Sequence, residues 1–278
     1  MLKSWSVCAL FSLSLLAAPA SRADVDAIAN FLKLSVRPKT QIVFFGEDHR
    51  IMKQTALIKN MVAMHSDFED FDCLFLEVES GTYQTAINDY MAGRASFKSS
   101  VFKAECEYLA KAGIQCDPKT IRSNAAQPIL DTAKLYKLHV FAADPTREGS
   151  LLRRINAGTL VGQEWNYEQY YKRNLFTAEL VKEAFKSGVC HRAAFQVGSN
   201  HVDLTAYMST YRTTAYPLPK LLERDGLHSQ AFLMSSTEQS LKADMLQYRT
   251  RGQFTGPYSG YIFYGGPLPH VYSRISDF

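Results

Sequence analysis

Two histidines and a set of carboxylates, each placed just after a short apolar run, are the residues of this chain best suited to chemistry. Gly46-Glu47-Asp48-His49 follows QIVFF, Glu77-Val78-Glu79 closes CLFL, Asp144 follows HVFAA, and Gly198-Ser199-Asn200-His201 follows RAAFQV. Imidazole beside carboxylate can hold a divalent metal or take a proton from water. Glu47 and His49 are two residues apart and share a face while the chain stays extended, so His49 is a candidate ligand or general base. Both can equally cap a following helix, whose dipole stabilises a carboxylate at its start. Glu77 ends a run that reads as a covered strand, where a carboxylate needs a partner or a polar cleft. Glu79 shares the face of Glu77 but lies nearer the loop, where it is either a member of the site or a solvated strand end. His201 follows Gly198, a residue suited to a tight turn, and Asp144 before Pro145 reads equally well as a turn residue.

Arg173 and Asn174 add two polar groups of another kind. Both fall within a long helical segment and border its apolar stripe, where polar side chains need partners. They either organise the carboxylates of the cleft or lie along the helix edge with their stems packed down. His65, His139, His191, His228 and His270 sit at element ends or turns and read as structural or exposed. Tyr167, Tyr170 and Tyr171 form an aromatic patch suited to helix packing, with an axial haem ligand as the other use of such a group. The sequence has no Gly-rich phosphate loop and no His-Glu-x-x-His, and GSNH lacks the Gly-x-Ser-x-Gly pattern of a nucleophile elbow.

Bringing these residues together is the task of the elements around them. In an open parallel sheet, ligands bind beyond the carboxyl ends of the strands, which is where each polar cluster falls. Helices are expected at Asp24 to Leu34, Met52 to Met64, Tyr83 to Met91, Phe97 to Ala112, Gln127 to Lys137, Trp165 to Lys186 and Pro219 to Arg224. They alternate with the four runs above and with a fifth strand, AFLM. That alternation predicts an α/β fold: a single domain with a mostly parallel sheet flanked by helices on both faces. The tail from about 247 to 278 is rich in Tyr, Gly and Pro, with YIFYGG as one further strand, and is expected to pack on the body or fold over the cleft.

The chain has 278 residues, 46% hydrophobic and 21% charged, as globular proteins do. Residues 1–23 read as a signal peptide: Lys3 gives a positive start, Val7 to Ala18 an apolar stretch too short to span a bilayer, and Ser21-Arg22-Ala23 a cleavage pattern. Removing them takes away Lys3 and Arg22 and lowers the net charge from +4 to +2. No basic stripe suggests nucleic acid, and no later run is apolar enough to cross a membrane. The expected location is therefore secreted or periplasmic. Four cysteines remain, an even number that favours disulfides in an exported chain. Cys106 and Cys116 flank a short segment that Gly113 lets turn back, so they are expected to pair. Cys73 and Cys190 can meet if the strands they precede are neighbours.

At these residues the chain resembles the superfamily that joins ChaN-like haem-uptake proteins, Tiki proteases and erythromycin esterases, and the ChaN-like branch most closely. Gly46, Glu47 and His49 match its Gly-Glu-x-His opening. Glu77, Gln84, Tyr90 and Gly93 match a strand ending in Glu followed by a Gln-x-x-x-x-x-Tyr-x-x-Gly helix. Arg173 and Asn174 match its Arg-Asp or Arg-Asn pair, and Gly198, His201 and Val202 its Gly-x-x-His-Val close. The likeness covers about residues 40–235. Lys59 and Asn60 stand where many ChaN-like members have a second histidine, and Leu-Phe-Thr-Ala follows the Arg-Asn pair in place of the usual start, Met-Ala.

The residues point to a site of Glu47, His49, Glu77, Arg173, Asn174 and His201, and the resemblance implies hydrolysis of an ester or peptide there. A divalent metal would be held by His49, His201 and Glu77, or a histidine would activate water alone, with Arg173 facing the developing oxyanion. The alternative it implies is an extracytoplasmic protein that captures haem without turnover. A small-molecule, peptide or haem ligand is expected, and a plain interaction module is the third class.

Overall fold

In the structure, a computed structural model, residues 22–47, 61, 71–116, 123–162, 164, 167–202, 216–235, 260–263 and 270–273 are described. Asp48, His49 and His65, the expected Met52 to Met64 helix save Met61, and the leader up to residue 21 lie outside them.

Helix α1 (Arg22–Ser35) leads into strand β1 (Ile42–Glu47). Strand β2 (Cys73–Glu79) runs directly into α2 (Ser80–Met91), followed by α3 (Val101–Lys111) and α4 (Ser123–Leu135). After β3 (His139–Asp144) come α5 (Gly149–Asn156), a wide helical turn over Tyr167–Tyr171, and α6 (Lys172–Lys186). Strand β4 (Ala193–Gly198) passes into the short turn α7 (Ser199–Val202), and α8 (Leu218–Arg224) precedes β5 (Ser229–Ser235). The tail contributes β6 (Gly260–Phe263) and β7 (His270–Ser273).

The strands form one sheet in the order β3-β2-β4-β1-β5-β6-β7. All described pairings are parallel except β6 with β7. The five strands expected from the apolar runs are all present. Over the described segments the tail packs on the body, as one of the two expectations had it, by extending the sheet with two strands, β6 beside β5 and β7 beside β6. Strands β1 and β4 are parallel neighbours, and their carboxyl ends stand where ligands bind in open sheets.

Alternation along each strand divides the core. Val43, Phe45, Leu74, Leu76 and Val140 join Ile28, Leu32, Ile87 and Leu130 from α1, α2 and α4 on one face. Ile42, Phe44, Phe75, Phe195 and Val197 meet Val181 of α6 and Leu222 of α8 on the other. On that second face the register aligns Phe44 with Phe195, Phe195 with Phe75, and Phe75 with Phe141. Their rings form a row across four strands, with centroids 5.1, 5.4 and 4.9 Å apart. Burying each ring is worth roughly 1.5–3 kcal/mol, so this row fixes the register of the strands that end at the cleft.

Several sequence expectations are refined. Helix α4 starts a turn earlier than Gln127, with Pro128 inside it. The long helix is broken into the wide turn and α6, and α5 was not foreseen. Gln84 of α2 donates to Val140 O at 2.9 Å and accepts from Ala142 N at 2.7 Å. Its amide thus covers part of the outer edge of β3, which would otherwise present unpaired backbone groups. Tyr90 donates to Asp131, and Gly93 ends α2 at φ 72°, a conformation suited to glycine. These residues of the Gln-to-Gly pattern therefore support the fold and do not enter the cleft.

Both cysteine pairs are bridged, Cys106 with Cys116 as expected and Cys73 with Cys190 because β2 and β4 are neighbours. Two disulfides suit an oxidising, extracytoplasmic environment. Among the described residues, no helix is long and apolar enough to cross a membrane.

Candidate active site

Glu77 is placed by the way β2 parts from β4. Their pairing ends at Leu76 with Gln196, so beyond it the amide of Gly198 meets a side chain: Glu77 Oε2 accepts from Gly198 N at 2.5 Å. Glu77 follows Phe75 by two residues and points to the same face, toward α6. There Arg173 Nη2 donates to Glu77 Oε1. Arg173 also donates from Nε to Asp144 Oδ1 at 3.1 Å, from Nη2 to Asp144 Oδ2 at 2.6 Å, and from Nη1 to Gln169 O at 3.2 Å. Arg147 reaches Asp144 Oδ2 at 3.2 Å.

Arg173 is only 7% exposed. Burial alone would lower its pKa, but Glu77 and Asp144 outweigh it and hold the guanidinium above its ordinary value. Such a cation is permanently charged. With all three of its nitrogens engaged, Arg173 as placed holds Glu77 and Asp144 together; it does not turn a free donor toward a developing oxyanion, as the sequence reading had it. Asp144, left open as a turn residue, stands at the centre of this cluster. Glu79 is not a solvated strand end. It is 3% exposed, and the β2–β3 register shifts between Leu76 and Glu79. Its carboxylate accepts from Thr82 Oγ1, from Arg147 N at 2.6 Å and from Lys111 Nζ at 3.4 Å.

His201 stands on α7, whose Val202 is anchored in the core, and is 4% exposed. One residue along α6 from Arg173, Asn174 Oδ1 lies 2.5 Å from His201 Nδ1. The Asn174 amide is oriented by its Nδ2, which donates to Tyr216 O at 3.1 Å. His201 Nδ1 is therefore the donor, and Nε2 is turned to Glu77 Oε1 at 3.2 Å. The ring of Tyr170 lies 5.4 Å from the imidazole, and its hydroxyl accepts from Asn200 Nδ2 at 3.1 Å. Glu77, Arg173, Asn174 and His201 thus converge at the carboxyl ends of the strands.

The backbone of Glu47 pairs with Gly198, which sets the end of β1 beside the same turn, while the Glu47 side chain and His49 lie outside the described residues. Asp144, Gln169 and Tyr170 complete the cluster. Only the strand-end position of Asp144 and the aromatic patch holding Tyr170 signalled any of them in the sequence.

The donor set bears on a metal. His201 Nε2 and Glu77 Oε1, 3.2 Å apart, are close enough for one ion to meet both. An imidazole fixed by a carbonyl through its other nitrogen is the usual form of a metal-ligating histidine. The charges of the cluster, Glu77 and Asp144 against Arg173 and Arg147, already balance. Among the described residues one other grouping has metal-type ligands, Asp72 with Cys73 and Cys190, and its sulfurs are joined in a disulfide.

No protein-family model matches the chain. No curated protein and no solved structure matches it either.

The loop that carries Arg147 is held from α2. Gly81 N donates to Thr146 Oγ1 at 2.9 Å, and a Cβ on Gly81 would stand 2.1 Å from that oxygen. Alanine in a helix ordinarily gains about 1 kcal/mol over glycine. Here Gly81→Ala is expected to cost about 1–2 kcal/mol, through the clash and the lost bond. A chemical denaturation curve showing no loss of stability would refute this account of the loop.

Proposed function

We propose that the chain is an exported hydrolase of the superfamily joining ChaN-like proteins, Tiki proteases and erythromycin esterases, acting on an ester or peptide carbonyl from a secreted or periplasmic location. The observation that carries this reading is the 3.2 Å approach of His201 Nε2 to Glu77 Oε1, with the far side of the ring held by Asn174. A buried imidazole with one nitrogen spoken for presents the other as a proton acceptor of fixed direction. With Nδ1 as the donor, Nε2 and Glu77 Oε1 face each other as two acceptors; a water donating to both relieves that contact and gives up its proton to Nε2 as it attacks the carbonyl. The imidazolium formed is stabilised by Glu77 beside it and by Asn174 Oδ1 behind it. Arg173 keeps Glu77 in place, and the Gly198 amide fixes the other carboxylate oxygen. In the metal-assisted form of this reaction His201 is a ligand in place of a base: His201 Nε2, Glu77 Oε1 and His49 would hold a divalent ion, which when bound supplies a water that loses its proton near neutral pH.

The test uses hydrolysis of p-nitrophenyl acetate and metal analysis of wild type, His201→Ala and His49→Ala. General-base catalysis contributes about 10²–10⁴-fold, so His201→Ala should lose at least about two orders of magnitude with its fold intact. Metal held as described should fall in both variants. Wild-type hydrolysis in His201→Ala would refute the reading. A second reading, haem capture, draws on Tyr170 beside His201 and on the half-exposed Tyr167, whose ring lies 5.7 Å from that of Tyr171. A Soret shift on adding haem, without any hydrolysis, would select it.

A further inference from the structure

Helix α6 alone does not decide which way the Asn174 amide points. Its oxygen and nitrogen are alike in shape and opposite in hydrogen bonding. What tells them apart is the acceptor that Nδ2 meets, the main-chain oxygen of Tyr216 at 3.1 Å. The other end of the amide faces His201 Nδ1 at 2.5 Å. An oxygen there calls for a proton on Nδ1, whereas an NH₂ group there would call for a lone pair. Across the ring, Glu77 Oε1 at 3.2 Å from Nε2 favours the reverse, a proton on Nε2. Two acceptors thus compete for the one proton of a neutral imidazole, and the Tyr216 carbonyl tips the balance. Tyr216 is itself held from α8. Its ring lies along that helix, with Lys220 Nζ 5.8 Å and Arg224 Cζ 5.6 Å from the centroid. Helix α8 is set against α6 in turn: Leu218 and Leu222 share the core with Val181, and Lys182 Nζ reaches Asp225 Oδ2 at 3.4 Å.

We propose that Tyr216 is a positioning residue for His201: its ring, clasped by Lys220 and Arg224, holds the carbonyl that orients Asn174 and so keeps the imidazole proton on Nδ1. Each contact of a cation with an exposed ring favours the clasped state by a factor of about two to five. Without the clasp the carbonyl drifts and the Asn174 amide turns over. Glu77 then draws the proton to Nε2, and a ring protonated there has no lone pair to offer a water on that side. The Tyr216 side chain is 37% exposed, so truncating it opens no cavity in the core, and its effect on His201 runs through Asn174. The bearing of this tautomer on turnover rests on the hydrolase reading, whereas the tautomer itself does not.

The test reads the ¹⁵N shifts of the His201 ring nitrogens in the full chain labelled at histidine, with the ring neutral and the signals identified by their absence in His201→Gln. Wild type should show a protonated Nδ1 and a bare Nε2. Tyr216→Ala should move the ratio of the two tautomers about fivefold or more toward the form protonated on Nε2. Lys220→Met with Arg224→Met should move it the same way, and Tyr216→Phe should keep the wild-type ratio. Cys106→Ala with Cys116→Ala, destabilised away from the site, should leave the ratio unchanged, which separates positioning from a general loss of stability. A wild-type proton on Nε2, a ratio unmoved in Tyr216→Ala or in the Lys220 and Arg224 variant, or an equal move in the cysteine variant would each overturn the proposal. A tautomer that moves in protein without any hydrolysis would uphold it and sink the hydrolase reading. Hydrolysis lost in His201→Ala beside a tautomer unmoved in Tyr216→Ala would do the opposite.

Discussion

Replacing Arg173 with methionine is expected to cost about 3–5 kcal/mol of folding stability at neutral pH, the usual penalty for removing one side of a buried ion pair. The guanidinium is the shared partner of Glu77 and Asp144. Without it, the described partners left to the two buried carboxylates are Arg147, the Gly198 amide and His201. The charged forms become costly in the folded state, which then binds protons more readily than the unfolded chain. Linkage gives the sign: stability falls as pH rises wherever the folded state holds more protons, so the variant regains stability as pH drops. Its deficit against wild type should therefore narrow between about pH 8 and about pH 5. Arg173→Lys keeps the charge but cannot bridge both carboxylates with a planar fork, and should fall between the two. Urea denaturation across that range is the measurement. A deficit under about 1 kcal/mol, or one that does not change with pH, would mean that the cluster is not held by Arg173.

This cluster also shows how far the sequence reaches. Arg173 and Asn174 were legible because a helical period sets them at the border of an apolar stripe, and buried polar groups there need partners. Glu77 and His201 were legible because each follows an apolar run, and parallel strands bring such ends together. The centrality of Asp144 was not. A carboxylate before proline looks like a turn residue until β3 pairs with β2 and α6 lies across both. Glu79 shares the face of Glu77, but its nearness to the loop suggested solvent; Thr82, Lys111 and the Arg147 amide, none of them signalled by the strand's own pattern, close over it. In the tail, YIFYGG announced β6, whereas β7 is four residues held by antiparallel pairing with β6, a partner that nothing local announces. Helix α5 is eight residues with two arginines, too short for its period to stand out.

The second large effect concerns the bridge between Cys73 and Cys190. It joins residues 117 apart in sequence, against 10 for Cys106 and Cys116. In the loop-entropy model the long bridge stabilises by about 5 kcal/mol and the short one by roughly 2–3 kcal/mol. Against a typical total of about 5–15 kcal/mol, losing the first alone brings the protein close to unfolding. Cys73→Ala with Cys190→Ala, chosen so that no hydroxyl is left in the apolar face, should lower stability about twice as far as Cys106→Ala with Cys116→Ala. The consequence should also reach the cleft. Cys73 opens β2 and Cys190 precedes β4, so the bridge ties together the starts of the two strands whose far ends carry Glu77 and Gly198. Those ends are roughly 13 Å from the sulfurs at strand spacing, too far for contact, and the bridge acts on them only through the β2–β4 register. The long-bridge variant, where still folded, should therefore bind and turn over ligands less well, while the short-bridge variant should lose stability alone. Equal losses of stability in the two variants would show that the register is held by the phenylalanine row and not by the bridge.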